Sequence, residues 1–532
     1  MSATGPGPSA APATPAEMRE ERKVITVLAA DLSGSTSLGE RLDPEETKLV
    51  IGEAIGRIVL AVEELGGTVK DLAGDGVLAL FGAPAAHEDD PERAVSAGLR
   101  IAREIEAYGA EVERGWGIAG FAVRVGIATG TVVLGPVGGG TRVEYGATGD
   151  TVNTAARLQV AASPGTVMVD EPTQRLTRAL FGWNGPHERS LKGKSASVIV
   201  FEPLHPLHVG AKRTWVGPDT PLVGRQMELG LAGEALEGVL AGAGGILFVT
   251  GEAGIGKSRL LAEMRARFEG SASEGGRPVW LEGRCVSYGQ AQPFGPFREL
   301  LREWVGVGPG ETGLRLRVAL RRRLDHLFGQ DSEETFSLLS TIMGLGPEDV
   351  PATRVPELPP RALAGRTFAA FEALLSKLSE EGPVVVALDD VQWSDGASIE
   401  LAERLLGLTD REPLLLVMSQ RLDRDHGSWR LRERALRELP HRTKEIALAA
   451  LSEEVDGELL STLIGKETLP PAMHSRILSA AGGNPFFLEE LVRSLVDTGV
   501  LAREGDGWQF DHDAPVEIPL TIRRVILARM DK

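Results

Sequence analysis

The chain has 532 residues, enough for two or three domains with full cores. Its 57 Lys and Arg against 75 Asp and Glu leave a net charge of -18, which argues against a nucleic-acid-binding surface. A single cysteine, Cys285, excludes a disulfide framework or multi-cysteine zinc ribbon and reads as a small buried hydrophobe in a reducing cytosol.

Residues 1–20, rich in Pro, Ala, Gly, Ser and Thr, have no basic start followed by an apolar core and read as a disordered lead. No apolar stretch approaches the roughly eighteen residues of a membrane span, so no membrane partner and a cytoplasmic location are expected. Residues 24–30 form an apolar strand that closes on Asp31. Leu32-Ser33-Gly34-Ser35-Thr36 follows, small residues whose N–H groups can approach an anion, and the helix expected after Ser35-Thr36 would aim its positive end at phosphates. Glu40 and Asp43 read as solvent-facing.

Thr68-Val69 and residues 77–81 flank Gly74-Asp75-Gly76, the pattern of a β-hairpin with an acid at its tip. Two strand-end carboxylates suit two hard divalent cations, Mg²⁺ or Mn²⁺, with coordination positions left for a substrate's phosphates. His87-Glu88-Asp89-Asp90 reads as a polar loop and helix start before Pro91, not as a metal cluster. Residues 121–129 alternate as a strand, and 130–135 are expected to continue it as a hairpin. Gly149-Asp150-Thr151-Val152-Asn153 opens a helix in which Asn153 and Arg157, four apart, share one face. An amide there can fix a sugar, and a guanidinium can stabilise charge on a pentavalent phosphorus. Leu191-Lys192-Gly193-Lys194 adds cations for a leaving pyrophosphate. Singly, these are a common turn and a common surface pair; jointly they point to nucleotide chemistry.

The segments Ala30-Asp31-Leu32-Ser33-Gly34-Ser35-Thr36, Ala73-Gly74-Asp75-Gly76-Val77-Leu78-Ala79-Leu80-Phe81-Gly82 and Gly149-Asp150-Thr151-Val152-Asn153-Thr154-Ala155-Ala156-Arg157-Leu158 resemble the class III adenylyl/guanylyl cyclase domain. The resemblance implies that Asp31, Asp75 and Leu32 hold two metals, that Gly34, Ser35 and Thr36 lie against the phosphates, and that Asn153 and Arg157 act on the ribose and transition state. Lys192 is implied at the terminal phosphates, and a homodimer is implied because the family builds each site from two domains. Two positions depart from the family. The purine-reading Lys is replaced by Asp71, with Lys70 one step earlier on the strand, and the second purine reader is Gly146, with Thr148 two residues on. A one-residue strand shift turns a side chain to the opposite face unless a bulge intervenes.

Residues 205–219, with His205-Pro206 and Gly217-Pro218, read as a linker. A short apolar strand over 244–250 then runs into Gly251-Glu252-Ala253-Gly254-Ile255-Gly256-Lys257-Ser258 and a helix, which is a P-loop in its required context. Its N–H groups would wrap the phosphates of Mg-ATP, with Lys257 at the β/γ-phosphates and the Ser258 hydroxyl on Mg²⁺. Residues 383–388 make an apolar run suited to a strand buried on both faces, and it ends in Asp389 for Mg²⁺ and Asp390 for the attacking water. A further strand over 414–419 delivers Arg421 to the same edge.

Together with Leu222-Val223-Gly224-Arg225 before the core and Gly483-Asn484-Pro485-Phe486 after it, these features resemble the signal-transducing ATPases of the STAND/AAA group. The resemblance implies Arg225 in the entrance motif and Pro485 on a helical lid against the base. The order of the two halves is similar to soluble adenylyl cyclases and related bacterial regulators. Residues 518–532 read as an amphipathic helix opening a further module, with a downstream sensor expected beyond it.

The expected architecture is an α/β multidomain chain. A ferredoxin-like α+β cyclase domain occupies 21–204 and a P-loop NTPase parallel-sheet domain 220–450, followed over 451–532 by a helical lid and the start of a winged-helix or helical module. The expected function is metal-dependent conversion of ATP to 3′,5′-cyclic AMP under control of the ATPase half, with protein partners possible through that half. A nucleotide-sensing scaffold and a guanylate cyclase are the alternatives.

Overall fold

A computed structural model describes residues 21–139, 142–190, 197–207, 222–271, 277–288, 293–308, 311, 313–345, 360–422, 426–464, 469, 471–497, 499–504 and 507–510. Lys192, most of the expected linker and the expected C-terminal helix lie outside the described residues. The chain divides into two compact units, the first over Met1–His205 and the second over Pro206–Ile522.

The first unit runs β1 (Glu21–Ser33), α1 (Ser35–Arg41), α2 (Pro44–Glu64), β2 (Thr68–Ala73), β3 (Gly76–Phe81), α3 (Asp90–Trp116), β4 (Ala122–Gly139), β5 (Arg142–Thr148), α4 (Asp150–Ala161), β6 (Val167–Asp170), α5 (Glu171–Thr177), β7 (Phe181–Arg189) and β8 (Val198–Pro206). The sheet order is β2-β3-β1-β4-β6-β8-β7, with β5 added on β4. Central β1 is antiparallel to both β3 and β4, and residues 24–30 are all buried, which is why their run is apolar without alternation. One face of the sheet packs Ile25, Val27, Ala29 and Leu80 against Ala155 and Leu158 of α4. Burial of each of Ile25, Val27, Leu80 and Leu158 contributes about 1.5–3 kcal/mol.

Residues 130–135 do not turn back as expected. They continue β4, which stays paired with β1 as far as Leu134, and the return strand is β5. Gly130 is required by packing and not by a turn, because a Cβ there would lie 2.6 Å from the Thr151 hydroxyl of α4.

The second unit runs α6 (Gln226–Leu240), β9 (Gly245–Gly251), α7 (Lys257–Glu269), β10 (Val279–Arg284), α8 (Gly295–Val305), α9 (Gly313–Phe328), α10 (Ser332–Ile342), α11 (Pro360–Glu381), β11 (Val384–Asp389), α12 (Gly396–Leu406), β12 (Leu414–Gln420), α13 (Gly427–Glu438), β13 (Thr443–Leu448), α14 (Glu453–Ile464), α15 (Pro471–Ala481), α16 (Pro485–Asp497), β14 (Leu501–Glu504) and β15 (Gly507–Phe510). Its sheet has the order β10-β11-β12-β9-β13 with every pair parallel. Helices cover both faces: Phe297, Leu320, Phe371 and Leu431 pack on one, and Leu236, Leu260 and Met264 of α6 and α7 on the other. β11 and β12 are buried along their whole length, as their unbroken apolar sequences anticipate.

Candidate functional site

In the first unit, Asp31 sits near the end of β1 opposite Gly76, and Asp75 occupies the two-residue turn joining β2 to β3. Gly74 has φ 67, the positive value that a hairpin turn with Gly at its first central position needs. The turn is tied to the strand by Leu32 N–H donating to the Asp75 carbonyl at 3.4 Å and by Ser35 Oγ donating to Asp75 Oδ2 at 2.5 Å. Burial pushes the Asp31 carboxyl up from its ordinary pKa, and the Asp75 charge pushes it further. Arg124, directly opposite on β4, and a hydrogen bond from Gln159 of α4 pull it back. Arg124 and Gln159 carry no motif; only strand register and the packing of α4 reveal them.

A pair of hard-oxygen carboxylates whose charges work against each other fits a divalent cation. Asp31 and Asp75, with the Leu32 carbonyl beside them, would hold it. The segment Gly34-Ser35-Thr36 follows β1 and touches Asp75 through the Ser35 hydroxyl, with Gly34 at φ 90 capping α1, which is only seven residues long. Glu40 and Asp43 are exposed as expected.

The strand pair β2/β3 carries a bulge: Val69 pairs with Ala79, and the next pair is Asp71 with Leu78. Lys70 is the extra residue. Leu78 pairs with Ala29, two residues from Asp31, so the bulge brings Asp71 onto the sheet face that carries Asp31. Gly146 is buried on β5 opposite Gly135, and Thr148 is exposed on the same strand.

In α4, Thr151, Thr154, Ala155, Leu158 and Gln159 face inward. Asn153 is exposed and Arg157 half-buried, the latter 3.9 Å from Asp150 Oδ1. Asn153 therefore leaves the face that packs on its own sheet. At the start of α3, Asp90 is buried and bonded to the His87 backbone N–H at 2.9 Å, so this acidic segment is a helix start.

In the second unit the P-loop joins β9 to α7, with Gly254 at φ 74 and Gly256 at φ 106. Lys257 is buried, and its ammonium donates to the carbonyls of Gly251 and Glu252, each at 3.0 Å. Ser258 Oγ donates to Asp389 Oδ2 at 2.7 Å, and Ser419 of β12 donates to the other Asp389 oxygen. The hydroxyl and carboxylate expected to share a cation thus lie together. Asp390 follows at φ 59.

Arg225, expected at the entrance of this half, is buried; it donates to Ala449 O at 2.6 Å, Ile255 O at 3.4 Å and Glu228 Oε1 at 2.9 Å. Arg421 presents its guanidinium 5.9 Å from the Trp393 ring centre. Pro485 occupies the first turn of α16, but it is the neighbours Asn484 and Phe486 that bond the P-loop. Asn484 Nδ2 donates to Ala253 O at 2.9 Å, and Phe486 N–H donates to Gly254 O at 3.3 Å. Cys285 is buried against Ser394 Oγ at 2.9 Å, and burial pushes its thiol up, as suits an inert core residue. Among the described residues no helix is long and apolar enough to cross a membrane.

Residues 17–202 match the family model described as adenylate and guanylate cyclase catalytic domain, and residues 221–417 match that described as AAA ATPase domain. An uncharacterized protein of Rhizobium meliloti is 30% identical over 404 residues, 75% of this chain and 38% of the relative. Adenylate cyclase 1 of the same organism is 35% identical over 138 residues, 26% of this chain and 21% of the relative. The matched segments thus span well under half the length of these relatives. The crystal structure of the adenylyl cyclase CyaB from P. aeruginosa is 28% identical, with a TM-score of 0.34 over 35% of this chain and 96% of that one.

Proposed function

We propose that this chain, which joins a class III adenylate/guanylate cyclase domain to an AAA ATPase domain, converts ATP to 3′,5′-cyclic AMP and pyrophosphate in intracellular signalling, under control of ATP at its second domain. The observation that carries the reading is the closeness of Asp31 and Asp75 at one end of the sheet, with the Ser35 hydroxyl on Asp75. The choice of adenine follows the adenylate cyclase named among the relatives. A cytoplasmic location goes with this reading.

Asp31, Asp75 and the Leu32 carbonyl hold the cation pair, and backbone N–H groups of residues 34–36 steady the phosphates. Bound Mg²⁺ or Mn²⁺ supplies charge neutralisation for the triphosphate and acidity to the ribose 3′-hydroxyl. Asn153 fixes the ribose, and Arg157 meets the charge that grows on the α-phosphoryl oxygens as the 3′-oxygen gives up its proton to water and bonds to phosphorus and pyrophosphate leaves. Lys192 is assigned to the terminal phosphates. The outward set of Asn153 on α4 supports a homodimer, in which each copy lends this pair to the other's acids.

In the second domain Lys257, Ser258 and Asp389 hold Mg-ATP, Asp390 orients water, and Arg225, Arg421 and Pro485 are accessory. We assign residues 21–204 to the cyclase domain, 220–450 to the ATPase domain and 451–532 to the lid and further module, with 205–219 as linker.

Cyclic GMP is the second reading, and Asp71 favours it. A carboxylate only accepts hydrogen bonds, and guanine offers N1–H and its N2 amino group on one edge where adenine offers N6 alone. The full chain incubated with Mn²⁺ and either ATP or GTP, followed by chromatography, separates the readings. Cyclic product from wild type, lost in Asp31→Asn and Asp75→Asn and kept in Lys257→Ala, supports the cyclase. Absence of product at every protein concentration leaves a nucleotide-sensing scaffold.

A further inference from the structure

We propose that Gln392 is a positioning residue for ATP hydrolysis in the second domain, holding the carboxylate of Asp390 and the tip of β12 in one fixed relation. The inference rests on the ATPase reading of that domain.

Asp390 adopts φ 59, a left-handed conformation that a residue with a Cβ takes only when its surroundings impose it. Three bonds impose it here. The Asp390 N–H donates to Ser419 Oγ at 2.9 Å, its carbonyl accepts from Trp393 N–H at 2.9 Å, and its Oδ1 accepts from Gln392 Nε2 at 3.0 Å. The first two bonds hold the main chain, and the Gln392 amide holds the carboxylate itself.

Gln392 is 2% exposed, so both ends of its amide need partners inside the protein. The donor end serves Asp390, and the acceptor end takes the Arg421 N–H at 3.2 Å, just beyond β12. An ionised carboxylate only accepts and a peptide N–H only donates, so this amide orientation satisfies both partners and the reverse one satisfies neither.

The same bonds continue to the P-loop. Ser419 Oγ, which accepts from Asp390 N–H, donates to Asp389, and Asp389 Oδ2 accepts from Ser258 Oγ at 2.7 Å. Ser258, Asp389, Ser419, Asp390, Gln392 and Arg421 thus form one hydrogen-bonded run from the phosphate loop to the edge of the sheet. In hydrolysis the oxygen of water bonds to the γ-phosphorus as the bond to the β,γ-bridging oxygen breaks; the water's proton is released, giving ADP and inorganic phosphate. Both ends of the buried Gln392 amide are bonded to protein groups. Its effect passes through Asp390, whose aim at the water it sets, so binding and turnover respond differently to its loss.

The test uses the full chain, with steady-state phosphate release from ATP and the Kd of a non-hydrolysed ATP analogue. Gln392→Glu keeps an acceptor for the Arg421 N–H and replaces the donor to Asp390 by a second carboxylate at nearly the same volume; Gln392→Leu removes both bonds. Each is expected to lower kcat about tenfold or more, with KM and analogue Kd within about twofold of wild type. Wild-type kcat in Gln392→Glu, or kcat, KM and Kd moving together with melting temperature, overturns the positioning role. Should Gln392→Leu fail to fold, Gln392→Glu decides. Wild type that binds the analogue yet releases no phosphate overturns the ATPase reading and this role with it, whereas an active wild type with fully active variants overturns the role alone.

Discussion

The side-chain amide of Asn484 donates to the carbonyl of Ala253 at 2.9 Å while its oxygen caps α16 by accepting from Phe486 N–H at 3.1 Å and Phe487 N–H at 3.4 Å. One buried residue therefore caps the start of α16 and grips the P-loop. The cap and the cross-link contribute about 1 kcal/mol each, so Asn484→Ala should destabilise the second unit by about 2 kcal/mol. Asn484→Asp keeps the cap but sets a carboxylate against the Ala253 carbonyl. Hydrogen exchange at the amides of 253–256 is expected to quicken in both variants, and unchanged exchange in Asn484→Asp would mean that the amide does not restrain the loop.

Gly254 meets the same residue from the other side. It sits at φ 74, and a Cβ there would lie 2.8 Å from both Asn484 Oδ1 and Phe486 Cβ. Gly254→Ala thus adds a clash to a left-handed strain of about 1–3 kcal/mol. Titration with a fluorescent ATP analogue should show at least about tenfold weaker binding in the second domain. Wild-type affinity would show that the P-loop and α16 part without resistance.

The acid pair of the first unit yields a prediction independent of turnover. Without metal, Asp31 bears burial and the charge of Asp75. Asp31→Asn removes that repulsion, so the metal-free variant should melt at or above the wild-type temperature while forming no cyclic nucleotide. Mn²⁺ should raise the melting temperature of wild type and leave Asp31→Asn nearly unmoved. A variant that melts well below wild type without metal, or an equal Mn²⁺ shift in both, would count against a cation held by these carboxylates.

What was legible in the sequence was local. The apolar runs of β1, β9 and β11, the turn that places Asp75, the P-loop and the Asn153/Arg157 spacing on α4 are all written in consecutive residues, and the structure forms each of them. What was not legible depends on pairing. Gly130 looked like a turn because nothing local reveals α4 pressed against β4, and the bulge at Lys70 exists only relative to β3. Arg124, Gln159 and Gln392 escaped for the same reason, and so did the bond from Asn484 to Ala253, although Asn484 stood within a recognised motif: each acts across a contact between segments distant in the chain or through a turn whose shape its own residue type does not announce.

Glu282 of β10 provides the pH test. Its carboxylate is held at about 7, mainly by burial, with Asp389 and Glu303 adding to the rise while a hydrogen bond from Trp280 and the Arg265 charge oppose it. Trp280 Nε1 donates to Glu282 Oε2 at 3.0 Å, and Arg265 has Glu303 at 2.8 Å and Glu269 at 2.8 Å as further partners. Because the folded value lies above the unfolded one of about 4.3, the folded state keeps a proton that the unfolded chain releases. Its contribution is full below about pH 4 and is lost as pH rises through about 7. A shift of this size corresponds to about 4 kcal/mol. Glu282→Gln keeps an acceptor for Trp280 and leaves Arg265 its other two carboxylates. Denaturant unfolding of the metal-free chain should therefore show the variant more stable than wild type at pH 8, with the gap closing towards pH 5. A gap independent of pH would show that Glu282 ionises in the fold as it does in the unfolded chain.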